Sequence, residues 1–410
     1  MSTQIKIEKI LFRRDLYPRL EVNLQKIQEY SENIGKLPPI DINQDNILID
    51  GYHRLKAHEQ AKLGIIEVNI IETKSDNEIQ LLSIEKNAKH GLMLSYKDKQ
   101  SLAIKLFDNT NASRLISILS VSSSRFYDWV KAKKEKLDEE RDQRILDLHL
   151  QCNTQEQIAE MLDITHKTVS NVLASFGKNS EIGKITKMSD FEPKLYNIWN
   201  YAKQNQCINV FGTLPQDIIE QLLYYYTEPF DVVYDPFGGS GITINACKKW
   251  YRRYYVSDLS PTPIAKELGT KNWNILEGLP NDLPSPKLVF LDPPYWKQSK
   301  NKYSNSEKDL ANMPLGSFYH VLGNLFKQLK KKMKHGYIAL IIGATQNIHD
   351  MDIEDHAVKL YDLLCNQKFK FVQRVIVPYS TEQYNANQVN IAKVNYQMLN
   401  LYRDLVIFKN

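Results

Sequence analysis

The tetrapeptide Asp292-Pro293-Pro294-Tyr295 directly follows the apolar run Lys287-Leu288-Val289-Phe290-Leu291. A carboxylate, two prolines and an aromatic ring in this order can hold hydrogen-bond acceptors beside a stacking surface, because proline locks its own φ and stiffens the loop. Upstream, Asp231-Val232-Val233-Tyr234 runs into Asp235-Pro236-Phe237-Gly238-Gly239-Ser240-Gly241, where three glycines around a serine allow a sharp turn whose backbone can touch a ligand. The next strand candidate, Arg253 to Ser257, ends at Asp258. A carboxylate about 20 residues beyond a glycine loop can accept bonds from both ribose hydroxyls of an adenosine. Together the loop and Asp258 predict an adenosyl cofactor.

Positioning such residues requires strands that end where the loops begin. From about residue 185 the sequence repeats strand, glycine loop and helix, with Ile242 to Trp250 as the helix after the glycine loop. That pattern predicts an α/β domain with a largely parallel sheet, whose ligands gather at the carboxyl edge of the strands. These pieces resemble the amino-methyltransferase family acting on adenine N6 or cytosine N4. The resemblance takes in Asp-Pro-Phe-x-Gly-Ser-Gly, the acidic strand end, Asp-Pro-Pro-Tyr and the closing strand "LYRDLVIFK" at Leu401 to Lys409. Asn197-Ile198-Trp199 and Phe211-Gly212-Thr213-Leu214-Pro215 look like the part of that family that precedes the glycine loop.

The resemblance implies a Rossmann-like S-adenosylmethionine-dependent methyltransferase domain over 185–410. Cofactor binding then falls to Phe211, Gly212, Asp235, Pro236, Phe237, Gly238, Gly239, Ser240, Gly241 and Asp258, and catalysis to Asp292, Pro293, Pro294 and Tyr295. An exocyclic amine is a poor nucleophile because its lone pair is delocalised into the ring. Asp292 can accept one amine hydrogen and the Pro293 carbonyl another, while Tyr295 stacks on a base rotated out of the duplex. Aspartate as the first residue of the tetrapeptide favours adenine N6, with cytosine N4 as the alternative. Transfer is direct, by proximity and electrostatic alignment. No dedicated target-recognition segment separates the motifs, so recognition falls to the N-terminal segments, aided by the loop from Trp296 to Asn312.

The first segment, 1–92, alternates strands and helices, with Ile40 to Ile42, Ile47 to Ile49 and Ile65 to Ile71 as short strands. Between the last two lies Asp50-Gly51-Tyr52-His53-Arg54-Leu55-Lys56-Ala57. A glycine after a strand, then a helix with His and Arg in its first turn, can bind an anion through free N–H groups and a guanidinium fork. "ILIDGYHRLKA" resembles the small α+β domain shared by ParB-like and sulfiredoxin-like proteins, and Glu85 to Gly91 sits where ParB-like domains carry an Asn-containing box. The resemblance implies a nucleotide or phosphate at Gly51, His53 and Arg54. The alternative is that His53 and Arg54 pair with nearby carboxylates. Tyr52 stands where sulfiredoxins carry their cysteine, which excludes that chemistry.

Segment 93–180 reads as all-helical. Thr154 caps a helix through Leu162, Asp163-Ile164 turns the chain, and Thr165 to Leu173 forms a second helix. Ile158, Ala159, Leu162, Ile164, Val169 and Val172 fall on facing sides, which resembles a helix-turn-helix DNA-binding unit. His166, Lys167, Thr168, Ser170 and Asn171 would face double-stranded DNA. Ala112 to Lys131 has a similar rhythm and could form another such unit.

At 410 residues and 42% hydrophobic, the chain can bury a core for two or three domains. Cys152, Cys207, Cys247 and Cys365 lie far apart, which argues against a disulfide framework or a metal site and predicts four buried structural thiols. The net charge of +5 is mild, with lysine clusters at 131–136 and 327–334 that fit phosphate contact or a solvated helix face equally well. No apolar run is long enough to span a bilayer, so a cytoplasmic, nucleoid-associated protein with no membrane partner is expected. A homodimer is compatible with the sequence. Two further readings compete: a ParB-like regulatory protein with a secondary methyltransferase domain, and RNA methylation, which the helix-turn-helix pattern disfavours.

Overall fold

Short β-branched runs build the first sheet. β1 (Thr3–Lys6), β2 (Ile40–Ile42), β3 (Leu48–Asp50) and β4 (Ile65–Ile70) lie in the order β1-β4-β2-β3, with β2 parallel to β4 and the other pairs antiparallel. Ile40, Ile42, Leu55, Ile66 and Val68 form its core under helix α2 (Tyr52–Gln60), and α1 (Leu24–Glu32) packs on α2. The computed structural model describes residues 3–89, 94–178, 188–201, 214–296, 308–347, 349, 352–378 and 384–410. The chain divides into two compact units, Met1–Asp142 and Gln143–Asn410.

In the first unit, α3 (Asp76–Lys89), α4 (Tyr96–Leu106), α5 (Ala112–Leu119) and the start of α6 (Ser123–Leu150) enclose a second core of Leu102, Phe107, Leu115, Leu119, Phe126 and Val130. The unit boundary falls inside α6. The reason is that α4 and α5 share the buried Ile84 of α3, whereas Leu146 and Leu150 of α6 belong to a core of the second unit. Helices α7 (Gln155–Leu162) and α8 (His166–Lys178) meet over Ile158, Val169 and Val172, with Ala159, Leu162 and Ile164 at the rim. Thr154 and Gln157 form a reciprocal capping box, and Asp163 ends α7 at φ 52°, ψ 47°, a conformation Asp tolerates. Ser120 ends α5 in the same left-handed conformation.

The second unit carries α9 (Gln216–Tyr226), β5 (Val232–Asp235), α10 (Ile242–Lys249), β6 (Arg253–Asp258), α11 (Pro263–Leu268), β7 (Lys271–Asn272) and β8 (Leu288–Leu291). Then follow α12 (Leu315–Lys332), β9 (Tyr337–Ile342), the hairpin β10 (Thr345–Asn347) and β11 (Asp352–Glu354), α13 (His356–Asn366), β12 (Lys370–Pro378), α14 (Ala386–Val394) and β13 (Tyr402–Lys409). Seven strands form one sheet in the order β12-β13-β9-β8-β5-β6-β7, parallel except for β13, which runs against both neighbours. Side chains alternate across it. Val233, Leu288 and Phe290 face α9 and α10, whereas Tyr234, Val289 and Leu291 face α12 and α13. With helices on both faces this is the expected Rossmann-like α/β fold. The chain leaves β5 toward β6 on one side and later enters β8 on the other, so the carboxyl ends of β5 and β8 flank the switch point where such sheets bind ligands.

The lysine clusters are drawn into local structure. Lys134 pairs with Asp138 one turn on, Lys133 donates to the Ile104 and Lys105 carbonyls, and Lys330 donates to the Lys368 carbonyl. Lys330 to Lys332 also occupy the last turn of α12, where positive charge complements the helix dipole. Among the described cysteines Cys247 is buried and Cys152 half-buried, but Cys365 is exposed on α13, which corrects the expectation of four buried thiols. Cys207 lies outside the described residues. Among the described residues no helix is long and apolar enough to cross a membrane, and no cluster could hold a metal.

Candidate active site

Three strand ends deliver the three carboxylates: Asp235 closes β5, Asp258 closes β6 and Asp292 follows β8. The glycine loop is held tightly between the first two. Gly238 donates its N–H to the Ser257 carbonyl at 2.9 Å, and a Cβ there would lie 2.2 Å from Val256 Cγ1, so no larger residue fits against β6. Gly239 donates to Asp258 Oδ2 at 2.9 Å and Ser260 to Oδ1 at 2.8 Å. A carboxylate offers about four lone-pair sites, so Asp258 keeps capacity for a pair of ribose hydroxyls. Gly239 faces solvent, its missing side chain leaving the loop open on the ligand side.

Asp235 lies beneath the loop, 2% exposed. Its carboxylate accepts the Thr243 hydroxyl at 2.5 Å and the Phe237 N–H at 2.9 Å, which fixes the turn onto the first turn of α10. Burial pushes its pKa up to about 7, with Asp258 adding repulsion. Burial also raises Asp292 to about 7, with the charge of Asp235 in the same direction, while Arg403 on β13 and a hydrogen bond from Tyr295 oppose the shift. Asp258 is raised too, by burial first, with Asp309 contributing repulsion. Asp292 is half-buried. The site is thus a cluster of three carboxylates whose charge is costly without a cation.

Pro293 is buried, and Tyr295 and Trp296 pack against the core cluster that contains Val289 and Leu291. The Trp296 indole donates to the Met313 carbonyl at 2.8 Å, and its own carbonyl accepts the Thr345 hydroxyl at 2.9 Å. Sequence reasoning missed Thr243, Thr345 and Arg403. Thr243 lies eight positions after Asp235, within reach of a helix-start argument; Thr345 and Arg403 come from distant strands and carry no local signal. The expected cofactor residues Phe211 and Gly212 lie outside the described residues, as does 297–307 of the loop after Trp296.

In the first unit, Gly51 caps α2 at φ 103°, and a Cβ there would meet Ile40 Cγ2 at 2.5 Å. Its close approach is therefore to β2. His53 Nε2 accepts the Asn23 N–H at 3.1 Å, and burial, followed by the nearby Arg19 and Lys26 charges, depresses its pKa to about 4. Arg54 donates to the Pro38 and Pro39 carbonyls at 3.1 and 2.8 Å and pairs with Asp50 at 2.7 Å. Asn87 of the box donates to Asp50 as well, at 3.1 Å. On α8, His166, Lys167 and Asn171 are exposed and Ser170 half-buried, whereas the Thr168 hydroxyl is bound to the capping Thr165 at 2.9 Å. His166 lies 3.4 Å from Glu156 of α7.

Comparison with known proteins adds the family. A precorrin-6y C5,15-methyltransferase from Geobacter metallireducens GS-15 is 15% identical, with 51% of this chain and 93% of that one covered and a TM-score of 0.29. A TehB-like SAM-dependent methyltransferase from Corynebacterium glutamicum is 8% identical over 46% of this chain and 85% of that one, at a TM-score of 0.30. The chromosome-partitioning protein ParB from Caulobacter crescentus, complexed with CTP-gamma-S, is 15% identical over 45% and 91%, at 0.21. No curated protein matches the chain. The DNA methylase family, which groups N6 and N4 methyltransferases, matches residues 44–265, a span that takes in the glycine loop and Asp258 and stops before Asp292. With over half of its length matched, the chain belongs to this DNA methylase family.

Proposed function

We propose that the chain transfers the methyl group of S-adenosylmethionine to the exocyclic amine of a base in double-stranded DNA, adenine N6 in the first instance. The observation that carries this reading is the convergence of Asp235, Asp258 and Asp292 at the switch-point edge of the sheet, with Asp292 fixed by two prolines and bonded by Tyr295. Bound there, S-adenosylmethionine supplies an electrophilic methyl on a sulfonium centre. Asp258 and the backbone of Gly238 to Gly241 would hold the adenosine. Asp292 and the Pro293 carbonyl would accept the two hydrogens of the amine and so aim its lone pair, and Tyr295 would stack on the extruded base. The exposed His166, Lys167 and Asn171 on α8, with Ser170 beside them, support DNA contact through α7 and α8.

The bonds made by Gly51, His53 and Arg54 support a fold-holding role, which this proposal adopts in place of a nucleotide site. Titration with nucleoside triphosphates checks that choice. Incubating the full chain with labelled S-adenosylmethionine and unmethylated DNA tests the reaction. Label should enter DNA, and Asp292→Ala should abolish it; equal labelling by the variant refutes the assignment. Base-resolution sequencing of the product separates N6-methyladenine from N4-methylcytosine and reads the sequence context.

A further inference from the structure

Directly after the tetrapeptide, four side chains from four elements form one line of hydrogen bonds ending on the Trp296 carbonyl. Tyr319 of α12 donates its hydroxyl to Glu354 Oε1 of β11 at 2.5 Å. The same hydroxyl lies 2.8 Å from His356 Nδ1 at the start of α13, and His356 Nε2 lies 2.8 Å from Thr345 Oγ1 of β10. Thr345 Oγ1 completes the line to the Trp296 carbonyl at 2.9 Å. His356 is 0% exposed, and the indole ring of Trp296 lies 6.1 Å from the imidazole. We propose that Glu354, Tyr319, His356 and Thr345 act as a proton-carrying clamp whose role is to position the Asp292–Tyr295 loop; this rests on that loop being the methyl-transfer site.

Both ends of the line, a carboxylate and a carbonyl, only accept. Four links therefore need four protons, and a tyrosine, a threonine and a neutral imidazole bring three. With a neutral imidazole and an ionised Glu354, one pair of lone pairs is forced face to face. With the short Tyr319–Glu354 bond kept, the link without a proton is either Tyr319–His356 or Thr345–Trp296, according to which ring nitrogen carries the hydrogen. One additional proton, held on the imidazole, completes all four links. The titratable groups facing the imidazole are Tyr319 from α12 and Glu354 and Asp355 from the chain before α13; the rings of Phe318 and Trp296 cover the rest. Burial disfavours the imidazolium and holds its pKa below the ordinary value, with Glu354 and Asp355 opposing part of that cost. Losing the proton as pH rises would break one link of the line and loosen its hold on the loop.

The test uses the full chain. Ring-nitrogen NMR with labelled histidine, over about pH 5 to 9 where imidazoles titrate, should show one ring protonated at both nitrogens. His356→Gln should remove that signal, and Thr345→Val should shift its titration. A His356 ring that carries a single proton throughout overturns the proposal. In turnover on unmethylated DNA, Thr345→Val should lower kcat by on the order of 10²-fold, the scale of a loop misplaced by about 1 Å, with cofactor Kd unchanged. Thr345→Ser should restore it, and the parent's loss of activity at high pH should vanish in Thr345→Val. Parent-like kcat in Thr345→Val also overturns the clamp. Should no DNA be methylated at all, the function falls while the NMR still decides the clamp.

Discussion

Cofactor affinity should rise with pH, and by an amount the carboxylate cluster sets. Asp235 and Asp292 are both pushed to about 7. A sulfonium stabilises their ionised forms, so it binds the deprotonated site more tightly. For one such group the ionised fraction climbs from about one in eleven at pH 6 to about ten in eleven at pH 8, which is about tenfold in affinity or about 1.4 kcal/mol. Two groups give about a hundredfold. S-adenosylhomocysteine keeps the adenosine and amino-acid parts but has a neutral thioether, so its affinity should barely change. Calorimetric titration of both ligands at the two pH values isolates the sulfonium. Asp292→Asn should cut the S-adenosylmethionine dependence to about tenfold. Equal pH dependence for the two ligands, or an unchanged slope in Asp292→Asn, would refute the electrostatic account.

Stability should show the same buried charge with the opposite sense. The folded-state pKa of Asp235 lies above its ordinary 3.8, so between that value and about 7 the folded chain holds a proton the unfolded chain has lost, and stability falls as pH rises. The span is worth about 4 kcal/mol at about 1.36 kcal/mol per pH unit, and urea midpoints of Asp235→Asn should show that slope removed. Gly238→Ala must move Val256 or the loop, costing about 1–3 kcal/mol and lowering Tm, with weaker cofactor binding; an unchanged Tm would mean the loop yields freely. Lys167→Ala should weaken DNA binding on every sequence and reduce the salt slope by about 1, whereas Asn171→Ala should cost about 1–3 kcal/mol on the preferred site alone. Binding isotherms at several salt concentrations separate the two.

Local rules reached most of the chemistry because each carboxylate sits at the end of an apolar run. β5, β6 and β8 could be read from Val232 to Tyr234, Tyr254 to Val256 and Leu288 to Leu291, and each run leads into an aspartate within two positions. The turn at Asp163 was legible for the same reason, since capping is encoded within a few residues. Strand β1 was missed: residues 3–6 carry only the alternation of one short edge strand, and what makes them a strand is pairing with β4 some sixty residues on. Arg54 shows a different limit. A guanidinium after a glycine suits a phosphate as well as it suits Pro38, Pro39 and Asp50, and only tertiary packing chooses between them.

That choice matters most at the glycine loop, because a strand, a glycine turn and an acidic residue about 20 positions on would equally describe a dinucleotide site. Charge separates the two ligands. A dinucleotide brings its pyrophosphate to the helix N-terminus after the loop, where Gly241 caps α10 here. Asp235 is buried under that turn and bonded to Thr243 in its first turn, and Asp292 stands near enough for the charge of Asp235 to raise its proton affinity. Two phosphates would add like charge to carboxylates already held near neutrality by desolvation. A sulfonium would relieve the same strain. The glycines admit an adenosine, but the carboxylates beside them favour one that arrives with a positive charge.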